Sequence, residues 1–285
     1  MGEMIESWKK GLGRVPGAAV LLRAVEKSND DHAKDMAASI AYFGFFSLFP
    51  LLVGMVAGAS FFVDRHEIES RLNRMLAGEF PGSADFLRTN IEALVDLRGA
   101  ASIASVVGLL WSASKMFGAL SRGMNLALGI PKGQPFYLSR LRYFAMTIMV
   151  SVVLFLAVGL SMALDVFALT DLTRFGVDSS VVDSIWGHFT SFVFIFGTVL
   201  LLYAIVPYKR SPWKELVPGA TVAALLFEVG KALFVLYVDN ARSLEAVYGS
   251  LSSIIVLLLW LYFSARVLLF GVEVIAVRKP VAEAP

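Results

Sequence analysis

The chain has 285 residues, of which 57% are hydrophobic and only 17% charged. Soluble domains average about 45–50% apolar and about 25% charged, so this composition points away from an ordinary soluble globule. A net charge of +2 implies no nucleic-acid-binding surface, and the absence of cysteine excludes disulfides and thiol chemistry.

The apolar excess is clustered. Runs long enough to cross a bilayer core of about 30 Å recur along the chain. The fold class read from them is all-α: a polytopic membrane helical bundle with six transmembrane helices and an N-terminal interfacial helix. Residues 1–35 form a cytoplasmic or interfacial segment, 36–277 the six-helix domain with an outer amphipathic loop at 64–100, and 278–285 a cytoplasmic tail.

The first residues, "MGEMIESWKKGLGRVPG", have no compact apolar stretch ahead of a small-residue cleavage site, so a cleaved signal peptide is not expected. "GAAVLLRAVEKSNDDHAKD" mixes apolar and basic residues, which predicts a helix lying on the inner membrane surface, with a plain soluble helix as the alternative. The first span is Met36–Val63. Pro50 falls inside it, removes one backbone bond and predicts a kink, either static or a hinge. Ser47 is placed to satisfy a freed carbonyl. Gly54 and Gly58 form G-x-x-x-G, expected to pack helices within the chain rather than drive a dimer. Asp64–Ala100 is polar, with "HEIESRLNRMLAG" and "ADFLRTNIEALVDL" at helical apolar spacing.

The second span, Ala101–Gly129, carries Lys115, Arg122 and Asn125. Entering at Ala101, the chain places Lys115 about 21 Å and Arg122 about 31 Å along the axis at 1.5 Å per residue. Arg122 is therefore read as an interfacial anchor. Lys115 is either a snorkelling side chain or an interior cation that attracts an anionic group. Ser114, Gly118, Ser121 and Asn125 share one face, which suits close helix packing or a hydrated cavity.

Pro131–Arg140 is a turn-rich linker, and Leu141–Leu169 is the third span, with Asp165 near its outer end. The acidic Thr170–Asp183 leads to the fourth span, Ser184–Pro207. The basic turn Tyr208–Lys214 leads to the fifth, Glu215–Val238, where Glu228 and Lys231 stand one turn apart. Asp239–Tyr248 precedes the sixth span, Gly249–Val277, which holds Arg266 and Glu273 seven residues apart on one face. Glu228 and Arg266 fall at similar depth on antiparallel spans and are expected to pair. That pair reads either as a staple between helices or as part of a polar site. Three cations, Lys115, Lys231 and Arg266, face the one central acid Glu228, which favours an anion such as a phosphate-bearing lipid. The tryptophans Trp111, Trp186, Trp213 and Trp260, with Tyr203, Tyr208 and Tyr248, read as interfacial-belt or packing residues.

Orientation follows from lysine and arginine. The N-terminal segment, the Pro131–Arg140 linker and its edge, the Tyr208–Lys214 turn and the tail hold fourteen of them. The other side holds seven, all arginine. Both termini are therefore expected in the cytoplasm.

At "DMAASIAYFGFFSLFPLL", "LLWSASKMFGALSRGMN", "PWKELVPGATVAALLFEVGKALFVLYV" and "YGSLSSIIVLLLWLYFSARVLLFGVEV" the chain resembles the BrkB/YihY family of bacterial inner-membrane proteins, over about Leu21 to Val277. The resemblance implies six membrane helices and a bacterial inner-membrane location. The family once carried the label ribonuclease BN, and members have been linked to serum resistance and to export of lipid or solute. The residues speak against ribonuclease chemistry. Metal-dependent cleavage needs clustered His and carboxylate ligands, whereas His32, His66 and His188 lie far apart. Neither a G-x-S-x-G nor a phosphate-binding G-x-x-x-x-G-K-[ST] occurs. No enzyme activity, cofactor or metal is expected. The expected function is translocation of a lipid or other amphipathic anion, with membrane lipids as partners. A small-solute or ion transporter and a non-transporting scaffold are the alternatives. The candidate substrate-binding residues are Lys115, Glu228, Lys231, Arg266, Ser114, Ser121 and Asn125, with Pro50 as the kink.

Overall fold

A computed structural model describes residues 16–59, 100–130, 137–149, 179–240 and 248–278. In chain order these contain helices α1 (Pro16–Asp30), α2 (Ala33–Ala59) and α3 (Ala100–Ala127), then α4, a helical stretch at 137–149. They continue with α5 (Ser179–Ile205), α6 (Trp213–Asn240) and α7 (Ser252–Arg278), the last entered through a 3-10 turn at Gly249–Leu251. No strand occurs among the described residues. Helices thus occupy the positions of the expected first, second, fourth, fifth and sixth spans and the start of the third. Two stretches among the described residues, Trp213–Val238 and Ser252–Arg278, are long and apolar enough to cross a membrane, and Ser191–Ile205 is a shorter apolar helix. The loop 64–99, Asp165, His66 and the tail beyond Arg278 lie outside the described residues, as do the side chains of Pro50 and His188.

Local chemistry sets the helix ends. A turn at Asp31 and His32 separates α1 from α2, with His32 at φ 52 and its N–H bonded to the Asn29 carbonyl at 3.2 Å. Gly129, at φ 65, closes α3: its N–H reaches the Leu126 carbonyl and that of Ile130 reaches the Asn125 carbonyl at 2.8 Å. A left-handed residue there suits glycine, which has no Cβ to clash. The helix α6 runs through Pro218, close enough to its start that few backbone bonds are lost.

The helix α7 is the hub. It packs on α6, α2, α1 and α3, while α2 pairs extensively with α3, and α5 with α6. Small residues bring the axes together: Ala37, Ala220, Ala223 and Ala224 are fully buried. At the α6–α7 seam a Cβ on Gly271 would overlap the Tyr203 hydroxyl and the Gly219 carbonyl. Tyr203 in turn donates to the Leu268 carbonyl at 2.7 Å, tying α5 to α7. Further along, Phe227 and Phe234 of α6 hold the buried Trp260 ring, at centroid distances of 5.4 and 4.9 Å. Trp260 and Tyr203 are thus packing residues, whereas Trp111 and Trp213 are exposed.

The outward faces are apolar. Val193 and Phe194 of α5 and Leu225, Val229, Leu233 and Leu236 of α6 are all exposed. A soluble protein rarely leaves so continuous an apolar surface to water. Facing acyl chains, the same surface needs no polar cover.

Candidate functional site

Near the middle of α5 and α6 three polar side chains meet. The Ser191 hydroxyl donates to Glu228 Oε1 at 2.7 Å, and Lys231 Nζ donates to the same hydroxyl oxygen at 3.3 Å. All three are half-buried, and Lys231 makes further contacts besides. The one-turn spacing of Glu228 and Lys231 brings them together as expected, but through a third residue. Ser191 lies on the neighbouring helix, and its only signal was being a hydroxyl inside the apolar stretch "SFVFIF". An acid, a cation and a bridging hydroxyl midway along two apolar helices form a charge-assisted hydrogen-bonded group.

The expected Glu228–Arg266 pair does not form. Arg266 Nη1 instead reaches Ser28 Oγ on α1, at 3.5 Å. The depth argument was sound, since Phe227 meets Trp260 and Phe263 across the seam. The angular argument was missing. At about 100° per residue, Glu228 lies about 140° round α6 from the line through Gly219, Ala223, Phe227 and Gly230. Arg266 lies about 120° round α7 from the line through Trp260, Phe263 and Gly271 by the same rule. Each charge points away from the seam, Glu228 toward α5 and Arg266 toward α1.

The expected common face of Arg266 and Glu273 is present, and it faces α1. Glu273 is 0% exposed, and its Oε2 lies 3.2 Å from Lys27 Nζ. Lys27 also pairs with Asp31 one turn on. Among the described residues Lys27 is the charge partner of Glu273. Burial alone would lower the Lys27 pKa. The hydrogen bond to Asp31 and the attraction of Glu273 outweigh it and hold the ammonium above its ordinary value. This is why α1, expected on the membrane surface, is anchored to α7, with Ala24 and Ser28 buried and Leu21 and Val25 exposed.

On α3, Lys115 Nζ sits 4.9 Å above the ring of Trp111, itself exposed. Helical side chains lean toward the N-terminus, which places Lys115 over the residue one turn earlier. The polar face of this helix is committed to protein partners. Ser114 donates to the Trp111 carbonyl at 2.7 Å. Asn125 Nδ2 donates to the Ser121 carbonyl at 2.6 Å, and Asn125 Oδ1 accepts the Tyr208 N–H at 2.9 Å. Ser121 Oγ reaches the Val206 carbonyl at 3.4 Å. Of the two readings offered for that face, packing describes these contacts. The helix α2 continues through Pro50, and Ser47 bonds the Gly44 carbonyl at 3.0 Å rather than the Phe46 carbonyl that a proline at 50 leaves without its usual donor.

The sequence reading also missed a cluster at the basic end. Arg142 Nη2 donates to the carbonyls of Ile205 and Pro207 at 2.8 and 2.6 Å, and its guanidinium lies 5.1 Å from the Tyr208 ring centre. The Tyr143 and Tyr208 hydroxyls are 2.9 Å apart. Burial raises the Tyr208 pKa, but hydrogen bonds with Tyr143, Ser139 and Ser121 and the charge of Arg142 outweigh it, leaving the phenol below its usual value. In the sequence the only signal of Arg142 is a positive charge at the edge of the Pro131–Arg140 linker. No group of three or more possible metal ligands occurs among the described residues.

A protein-family model described as virulence factor BrkB matches residues 24–284. The chain is similar to a UPF0761 membrane protein of Cronobacter sakazakii, 26% identical over 247 residues, covering 86% of this chain and 83% of that protein. It is similar to one of Alkalilimnicola ehrlichii, 28% identical over 256 residues, covering 88% of this chain and 56% of that protein. Against one of Alcanivorax borkumensis it is 26% identical over 262 residues, covering 90% of this chain and 59% of that protein. The chain thus spans little more than half the length of the last two. No solved structure matches.

Proposed function

From the premise that the chain belongs to the BrkB family of membrane proteins, we propose that it translocates a lipid or other amphipathic anion across the bacterial inner membrane. In this reading the bundle crosses the membrane six times with both termini in the cytoplasm, and it carries out no covalent chemistry. The observation that supports it is the Ser191–Glu228–Lys231 group, polar and half-buried midway along two apolar helices. Isolated charges at that depth cost at least about 2.5 kcal/mol each on insertion scales. A fold that keeps an acid and a cation there, joined through one hydroxyl, holds a polar step on an otherwise apolar path. Exposed Val193, Phe194 and Val229 flank the same two helices and suit acyl chains.

A scaffold without transport is the second reading, favoured by the closed bonding of Ser114, Ser121 and Asn125. Reconstitution in vesicles separates the two. Wild type should move a fluorescent anionic phospholipid between leaflets, and Glu228→Gln and Lys231→Met should each slow it at least tenfold while the protein stays folded. Wild-type rates in both variants would sink the translocation site. Uptake of a soluble anion without lipid movement would favour the small-solute transporter. Topology has its own test in this cysteine-free chain: Ser7→Cys and Ser83→Cys should react differently with an impermeant thiol reagent in intact cells, and equal labelling overturns the orientation.

A further inference from the structure

The basic end of the bundle carries a second arrangement that the translocation reading does not use. Arg142 is held in place by the fold: one terminal nitrogen bonds two carbonyls, and the guanidinium lies against Tyr208. A guanidinium has five N–H donors, and the remaining ones on Arg142 meet no partner among the described residues. Arg210 lies close enough to repel it. Arg122 reaches the same group from α3, lying beside Tyr143 against Gly118. Lys209 and Arg210, which follow Tyr208 in the chain, are exposed. None of these four cations forms an ion pair among the described residues. Like charges near one another repel, and an anion between them relieves that repulsion.

The surroundings identify the kind of anion. Tyr137 and Leu141 beside Arg142 and Trp213 after the turn are 70%, 68% and 61% exposed. Trp213 opens α6, which is long and apolar enough to cross a membrane, and aromatic and aliphatic side chains next to arginine match the level where headgroups give way to acyl chains. Arginine suits phosphate because its planar fork can meet two oxygens at once, and basic pockets between membrane helices recognise anionic headgroups. We propose that Arg142, Arg122, Lys209 and Arg210 form a docking site for the phosphate headgroup of an anionic glycerophospholipid. Arg142 and the tyrosine hydroxyls face the phosphate, Lys209 and Arg210 close over it, and Tyr137, Leu141 and Trp213 meet the acyl chains. The site stands whether or not the protein transports lipid, because it needs only a neighbouring membrane.

The test uses the full chain in mild detergent, with lipid retention measured by native mass spectrometry. Wild type should hold phosphatidylglycerol in preference to phosphatidylcholine. A surface cation is worth about fivefold in anionic lipid binding, so Lys209→Gln with Arg210→Gln should weaken phosphatidylglycerol retention roughly 25-fold. Both residues are exposed, so the variant should fold as wild type. Arg23→Gln, an exposed cation on α1, serves as the control and should stay within twofold. Equal retention of the two lipids by wild type, or undiminished phosphatidylglycerol retention in the double variant, would overturn the site. Displacement of phosphatidylglycerol by an equal concentration of inorganic phosphate would overturn the lipid assignment, since a free anion would then satisfy the arginines without acyl chains.

Discussion

Glu228 and Glu273 stand on helices of membrane length, each close to a lysine, yet their surroundings differ in kind. Glu273 is wholly buried, and Lys27 reaches it directly across the α1–α7 contact. Glu228 is half-buried, and Ser191 bridges it to Lys231. In the first cluster the charges close on each other and fix one helix to another. In the second, a neutral hydroxyl stands between acid and base, so the contacts can be exchanged without stranding a charge in a dry interior. The same residue types thus make a staple in one place and a candidate site in the other, and what separates them is burial and the directness of the pair.

The sharpest way to break this contrast is to remove Lys27. Lys27→Met leaves Glu273 without its cation, and breaking a buried pair costs about 3–5 kcal/mol. Lys27 is itself a third exposed, at 32%, so the expected loss is at the lower end, about 3 kcal/mol. Thermal unfolding in detergent reads it. Adding Glu273→Met should recover most of the loss, because two apolar side chains replace the pair. Strictly additive losses would show that the two residues do not act together. The folded pKa of Lys27 lies above its ordinary 10.5. The share of the pair that depends on the ammonium charge is therefore kept below that value and lost as pH rises through the raised one. Unfolding midpoints of wild type should fall in strong alkali, and the fall should be smaller in Lys27→Met.

A smaller structural effect is expected at the open cluster. Glu228→Gln keeps an oxygen for the Ser191 hydroxyl and removes only the charge, so stability should drop by about 1 kcal/mol. Ser191→Ala removes the bridge and should cost a similar amount. If Glu228→Gln destabilises as strongly as Lys27→Met, the distinction between staple and site collapses. Measuring both variants in one detergent gives the comparison directly.

How much of this was legible in the chain depended on which dimension the argument needed. Helix positions followed from apolar length alone, so α6 begins and ends within two residues of the expected span. Depth was legible too, because rise per residue is fixed: Phe227 meets Trp260 and Phe263 as antiparallel spans require. Azimuth was legible within one helix, as with Arg266 and Glu273, but not between helices. Assigning Glu228 to Arg266 required knowing which face of each helix meets the other, and the small residues at Gly219, Ala223 and Gly271 set that face. Those positions read as ordinary glycine and alanine until the partner helix is seen. Ser191 and Arg142 were hidden for the same reason, since their partners lie 37 residues or more away in the chain. The family resemblance is now secured by the match over residues 24–284, and it bears on architecture rather than on any of these side chains.

The mildest expected change is at Lys115, which the sequence left divided between an interior anion site and a snorkelling side chain. Its ammonium lies over Trp111, one turn earlier on the same helix and exposed. That arrangement belongs to neither cluster in the comparison: among the described residues no acid pairs with Lys115, and its ring contact is local to α3. An exposed cation–π contact contributes about 0.5–1 kcal/mol, and methionine offers the same ring a sulfur contact of about 0.3–1.5 kcal/mol. Lys115→Met should therefore shift stability by less than about 1 kcal/mol. The proposed path through Ser191, Glu228 and Lys231 does not pass through this contact, so lipid translocation in vesicles should stay within about twofold of wild type. A tenfold loss of translocation with unchanged stability would return Lys115 to the interior site. The path would then include α3 as well as α5 and α6, and the contrast between one open and one closed cluster would have to admit a third group.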